Sequence, residues 1–237
     1  QRDGAKALRL FLFILQAIQL VRTHGYDVIF LKYFATCSLI RLFHLKQPFI
    51  LDIRTGAIDR SPFHRRIRNT ILYCEALCFH HITIISASLA KKLNLHRRAT
   101  ILPLGAVQIS ATNKQFTEIH LLYVGTFHNR NIDKTIVGFA QLYEELKKQM
   151  QLSYTIIGYG SQEDELFITK LIHDHSLTDI VHYRGRVPHD QLCSFFDSHN
   201  VGVSFVPMTD YFDVQPVTKT FEYLLSGMAV LATRTLE

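Results

Sequence analysis

The sequence has no CxxC pair, no unbroken run of some 20 apolar residues and no internal repeat. Each absence removes a class of protein. Four cysteines (Cys37, Cys74, Cys78 and Cys193) are too few and too scattered for a zinc site or a disulfide framework. They are expected to be buried free thiols of a protein in a reducing compartment. The longest apolar run, 8–21, is interrupted by Arg9, Gln16 and Gln19 and falls short of a bilayer span, so a buried helix is expected there. Residues 1–7 are polar and no small-residue cleavage site follows the apolar stretch, which gives no signal peptide. Thirteen histidines do not make a metal centre. His80 and His81 open an apolar strand, and His173 and His175, two residues apart, point to different faces of a helix.

What is present is an unequal distribution of charge. Residues 1–113 hold 16 Lys and Arg against 5 Asp and Glu, whereas residues 114–237 hold 10 against 15. Two domains with different partners are expected, the first suited to an anionic membrane surface, nucleic acid or a phosphorylated substrate. No basic stripe interleaved with aromatics and no zinc-finger spacing supports nucleic acid. The clusters His64–Arg65–Arg66–Ile67–Arg68, Lys91–Lys92 and Arg97–Arg98 suit anionic headgroups, or are simply solvated helix faces.

Apolar runs rich in Val, Ile, Phe and Tyr recur at 28–31, 49–53, 82–85, 100–102, 120–124, 154–157, 180–183, 201–205 and 229–232. Stretches of helical period lie between them, at 135–148, 163–173, 189–196 and 217–225. Strands without inside–outside alternation, separated by helices, describe parallel sheets covered on both faces: an α/β, doubly wound class. Residues 103–118 break this rhythm with Pro103, Gly105 and a polar run, and the charge balance changes sign there. The expected domains are therefore 1–104 and 119–237, joined by a linker at 105–118.

In the second domain the first strand runs into Gly125, Thr126 and Arg130 before a helix begins, a place where α/β sheets receive anions and also where many chains merely turn. Gly158–Tyr159–Gly160 follows the next strand. Glu163 stands where a dinucleotide fingerprint needs its third glycine, so nicotinamide and flavin are disfavoured. Pro216 suits the first turn of the helix that carries Lys219 and Glu222 one turn apart. These two read equally as a phosphate and ribose pair or as a surface ion pair.

Four segments in order, YVGTFHNRNID, IIGYGSQEDEL, VHYRGRVPHDQLCSFFDSHNVGVSFVP and PVTKTFEYLLSGMAVLAT, resemble the nucleotide-binding domain of GT-B glycosyltransferases, particularly the large retaining group called family 4. The resemblance covers residues 119–233. YDVIFLKY, FILDIRTG and HHITIISASLAKKL fit that family's acceptor domain more loosely. It implies two Rossmann-like domains, each a parallel sheet flanked by helices and each incomplete here, with the chain a fragment of a longer protein. It also implies an enzyme that moves a sugar from a nucleotide diphosphate to a glycan or lipid-linked acceptor with retention. Glu222 would hold the ribose hydroxyls, and Lys219 and Arg130 the diphosphate in place of a divalent ion, so no metal or cofactor is expected. Gly125 and Thr126 would line the phosphate loop, with Gly160, Ser161 and Arg186 near the base.

The chain departs from the family's pattern in three places. Val214, beside Asp213, stands where a sugar-contacting glutamate is usual. Thr126 replaces a basic residue, and Asp52, Arg54 and Thr55 occupy the acceptor-side loop where a His is common. Asp52 and Arg54 are the acceptor-side candidates. The expected location is cytoplasmic, peripheral to the inner face of the membrane. The competing readings are an inactive remnant and a nucleotide-sugar epimerase of the same shape, for which no cleft His and paired carboxylates can be assembled.

Overall fold

The computed structural model describes residues 2–59 and 61–237, with side chains from Ala7 onward. The chain forms two compact units, described separately. Unit one extends to Pro103 and includes Asp213–Pro216 and Leu236–Glu237; unit two is Leu104–Phe212 with Val217–Thr235. No helix among the described residues is long and apolar enough to cross a membrane.

Unit one contains α1 (Arg2–Thr23), β1 (Ile29–Lys32), α2 (Ser38–Phe43), β2 (Phe49–Ile53), α3 (Pro62–Ala76), β3 (His81–Ile84), α4 (Ala87–Lys92) and β4 (Ala99–Ile101). The strands form one parallel sheet in the order β1-β2-β3-β4. Leu51, Ile53, Ile82 and Ile84 are buried in it, as are Leu72 and Ala76 of α3 and Leu89 of α4. Ser61 caps α3 through its hydroxyl and Pro62 occupies the first turn, where its missing N–H is harmless.

Two expectations fail. The apolar run at 8–21 is a helix, but among its described side chains α1 buries only Ile14 and Val21, while Leu8, Phe11 and Phe13 are more than half exposed. A run apolar on every side must leave one side outward when a single layer covers it. Of the four cysteines only Cys37 is buried; Cys74, Cys78 and Cys193 are exposed. Burial pushes the Cys37 thiol up to about 12.

Unit two contains β5 (Ile119–Thr126), α5 (Asp133–Leu146), β6 (Leu152–Tyr159), α6 (Gln162–Asp174), β7 (Val181–Tyr183), a 3-10 turn at His189–Gln191, α7 (Leu192–Ser198), β8 (Val201–Ser204), α8 (Thr218–Leu225) and β9 (Ala229–Ala232). Its parallel sheet has the order β7-β6-β5-β8-β9. Side chains alternate along β5. Leu121 and Tyr123 join Ile136, Phe139, Ile168 and Ile172 of α5 and α6 on one face. Leu122 joins Leu192, Phe196 and Tyr223 of α7 and α8 on the other.

The segment expected as a linker is laced onto unit two. The amides of Ile109 and Ser110 both donate to Ser226 Oγ, and the hydroxyls of Ser110 and Thr112 donate to Asp197 Oδ1.

Candidate functional site

The strand order of unit two defines where a ligand fits. From β5 the chain steps through β6 to β7 on one side, then returns to β8 and β9 on the other. The switch lies between β5 and β8, and α/β sheets bind ligands at the carboxyl edge of such a point.

The two strands separate there for a visible reason. They pair only at Leu121–Val201 and Leu122–Gly202. Two residues on, the Val124 N–H donates to the hydroxyl of Tyr223 at 2.9 Å. The Tyr223 ring lies on Gly202, where a Cβ would strike it. A fully buried tyrosine thus wedges the sheet open, and burial holds its phenol well above its ordinary pKa, so it stays neutral.

Gly125 and Thr126 end β5 and remain paired with Gly158 and Tyr159. A Cβ on Gly158 would run into the Gly125 carbonyl, so glycine at 158 serves the backbone of the neighbouring strand. The Tyr123 hydroxyl donates to the Thr126 carbonyl at 2.8 Å and fixes the peptide that leads into the loop. Asn129 and Asn131 then adopt φ of 57° and 50°, the left-handed region that Asn tolerates best after Gly.

Between these two asparagines, Arg130 lays its guanidinium over the Phe212 ring, 4.4 Å from the centroid. Among the described residues no carboxylate pairs with Arg130. Burial lowers its pKa, yet arginine keeps its charge. A half-buried cation without a counter-charge is electrostatically suited to receive an anion.

Across the switch point, the Ser204 and Thr220 hydroxyls bond at 2.6 Å and hold the first turn of α8 at the carboxyl end of β8. Pro216 lies one residue before the N-cap, Val217, rather than inside the helix as expected, because Val217 still has extended backbone (ψ 115°). Val217 offers no side-chain cap and the first turn has no acid, so the amides at this helix start are open to an anion. By contrast α6 begins with Glu163, Asp164 and Glu165. Lys219 and Glu222 form an ion pair with little solvent exposure.

The remaining residues flank this centre. Gly160 is hemmed by Asp164 and Phe127, which leaves no room for a side chain. Ser161 is the N-cap of α6, bonded reciprocally to Asp164. Arg186 follows β7 and lies over the exposed ring of Tyr159, 4.9 Å from its centroid. All eight donor-side candidates thus lie on strand ends, loops or helix turns at the carboxyl edge of one sheet. Tyr223 and Phe212 were missed. A tyrosine in an apolar helical stripe carries no sign that its hydroxyl reaches another strand, and an aromatic in an irregular loop carries no sign of a cation above it.

Solved structures share this fold. Sucrose-phosphate synthase from Thermosynechococcus elongatus aligns with a TM-score of 0.69 at 16% identity, covering 93% of this chain and 59% of that one. HepE of Anabaena, in complex with UDP and glucose, aligns at 0.71 and 12% identity, covering 94% and 62%. The pneumococcal O-GlcNAc transferase GtfA, in complex with UDP and GlcNAc, aligns at 0.66 and 12% identity, covering 94% and 45%. The fold is GT-B. The chain spans less than two thirds of the length of these GT-B proteins. No protein-family model matches the sequence, and no curated protein does.

Unit one carries a recess of its own near the carboxyl ends of β1 and β2. It measures about 610 Å³ and is lined by Tyr33, Phe34, Thr55, Ile58, Asp59 and Arg68, among others. Arg68 bonds Asp59 Oδ1 at 3.3 Å, while Asp59 Oδ2 is buried without a partner among the described residues. Asp52 is buried on β2. It accepts from Thr83 Oγ1 at 2.7 Å and from Arg54 Nε at 2.5 Å, so both its oxygens are occupied. Val214, counted with this unit, is also buried, and its carbonyl accepts from Ser86 Oγ at 2.8 Å.

Proposed function

We propose that this chain is the core of a glycosyltransferase that moves a sugar from a nucleotide diphosphate to a hydroxyl of a glycan or lipid-linked acceptor. Transfer proceeds with retention and without a metal, in the cytoplasm at a membrane face. One observation carries the donor assignment: Arg130, half-buried, stacked on Phe212 and lacking a carboxylate, beside the switch point of a GT-B sheet. When the sugar–phosphate bond breaks, charge develops on the leaving diphosphate. A cation already desolvated and oriented stabilises that charge without reorganising.

Lys219 and the open first turn of α8 supply further positive potential, and Glu222 accepts from the ribose hydroxyls. Binding requires Lys219 to turn from Glu222 to phosphate. Gly125 and Thr126 let the diphosphate approach the backbone, and Arg186 with Tyr159 forms a stacking platform for the base. UDP is the favoured nucleotide, because HepE and GtfA are in complex with it. On the acceptor side Asp52 positions Arg54 at the carboxyl end of β2.

The test is thermal stabilisation of the chain by UDP-, GDP- and ADP-sugars. UDP-sugars are expected to raise the midpoint, and Lys219→Ala and Glu222→Ala each to weaken binding about tenfold or more. Unchanged affinity in both variants, or no response to any nucleotide, rejects the donor site. Val214, where a carboxylate is usual in the family, favours a second reading: binding without transfer. Donor affinity with no turnover on any acceptor would select it.

A further inference from the structure

α3 is apolar on two sides. Its inner side buries Leu72 and Ala76. Its outer side turns Phe63 (70% exposed), Ile67 (42%) and Ile71 (46%) to water, with Cys74 also exposed. At 3.6 residues per turn, positions 63, 67, 71 and 74 form one continuous stripe along the helix, with the Thr70 hydroxyl turned back to the Arg66 carbonyl at its edge. Basic side chains border it, Arg66 on one flank and Arg68 with the His64 imidazole on the other. The single carboxylate of the helix, Glu75, is buried and accepts from the hydroxyls of Tyr33 and Ser38, so it does not offset Arg66, while Arg68 is paired with Asp59. A contiguous apolar stripe in water marks an interaction surface.

We propose that α3 lies flat on an anionic bilayer, with Phe63, Ile67 and Ile71 in the boundary between headgroups and acyl chains. Arg66, His64 and Arg68 then sit among the lipid phosphates. Charge complementarity selects this occupant over an apolar protein groove: the first 113 residues hold 16 cationic against 5 acidic side chains. A helix of 15 residues is about 22 Å long, too short to span the hydrocarbon layer and suited to lying within the interface. Ile71 and Arg68 belong both to this face and to the recess of unit one, so docking brings the recess against the bilayer. That last consequence rests on the proposed acceptor role; the docking does not.

The test is co-sedimentation of the full chain with phosphatidylcholine vesicles, with and without phosphatidylglycerol, in the absence of nucleotide. Binding is expected only to the phosphatidylglycerol vesicles. Phe63→Ser with Ile67→Ser is expected to lower the partition coefficient about tenfold or more, and Arg66→Gln about fivefold. These side chains face water, so the variants should keep the parent's unfolding midpoint. An environment-sensitive dye on Cys74, in a Cys78→Ser/Cys193→Ser background, should shift to the blue on binding. Failure to bind anionic vesicles overturns the proposal, as does equal binding to neutral ones. Undiminished binding by the Phe63→Ser/Ile67→Ser chain, or a dye that stays in water, overturns the assignment to α3.

Discussion

Arg130 shows how a single side chain can be costly to the free chain and useful to the complex. Its guanidinium has given up part of its hydration to lie on Phe212, and no carboxylate repays that loss. Replacing it with Met keeps the packing on the ring and removes the buried charge. Arg130→Met is therefore expected to leave the stability of the unliganded chain unchanged, or raise it by about 1 kcal/mol. UDP affinity should fall at least about tenfold. Denaturant titration and calorimetry on the same samples check both halves, and a variant that loses stability and affinity together would make Arg130 a structural residue. Lys219 differs, because its removal leaves Glu222 nearly buried and unpaired.

Among the elements, the Tyr223 wedge matters most. It joins α8 to β5 through one hydroxyl and keeps the crevice from closing into a continuous ladder. Tyr223→Phe fills the same volume but leaves the Val124 N–H without its acceptor. The expected cost is about 1–3 kcal/mol in urea unfolding with an unchanged slope, since one buried donor is orphaned. An unaffected midpoint would mean that the strands close on each other instead.

All nine strands coincide with apolar runs that were legible in the sequence, because a parallel sheet covered on both faces asks for little beyond β-branched and aromatic residues. Their ends were less legible. β5 and β6 extend through Gly125 and Gly158, since paired glycines permit a close approach that composition does not reveal. α3 was also ambiguous: its apolar positions serve two opposite faces, and only packing tells Leu72 from Ile71. The strand–loop–helix places for the donor could be read, but not which residues converge there. The Arg130–Phe212 and Val124–Tyr223 contacts join positions far apart in the chain.

At the scale of the whole molecule, charge is segregated and one buried histidine links stability to acid. His199 donates from Nδ1 to the Phe195 carbonyl at 2.7 Å, because a carbonyl can only accept, and Nε2 then accepts from Thr155 Oγ1 at 2.8 Å. Burial lowers its pKa to about 4, with repulsion from His120, Lys114 and His182 adding to the effect. The folded form stays neutral where the unfolded chain, near 6.5, already binds a proton. The stabilisation is complete above pH 6.5 and declines as pH falls toward 4, by up to about 3 kcal/mol. His199→Asn should flatten the fall in unfolding free energy across that window, and an equally steep fall would assign the acid sensitivity to other groups.

The strand order of unit two also sets a timetable. Leu121 and Val201, neighbours across the switch point, are 80 residues apart in the chain. β5 can recruit β6 and β7 from sequence close at hand, but its other edge stays bare until β8 returns. Closing so long a loop is slow, and a bare hydrophobic edge invites pairing with other chains. The crevice that would hold the nucleotide is thus among the last parts of the unit to exist. Until it does, the hazard for a newly made chain is association with its own kind.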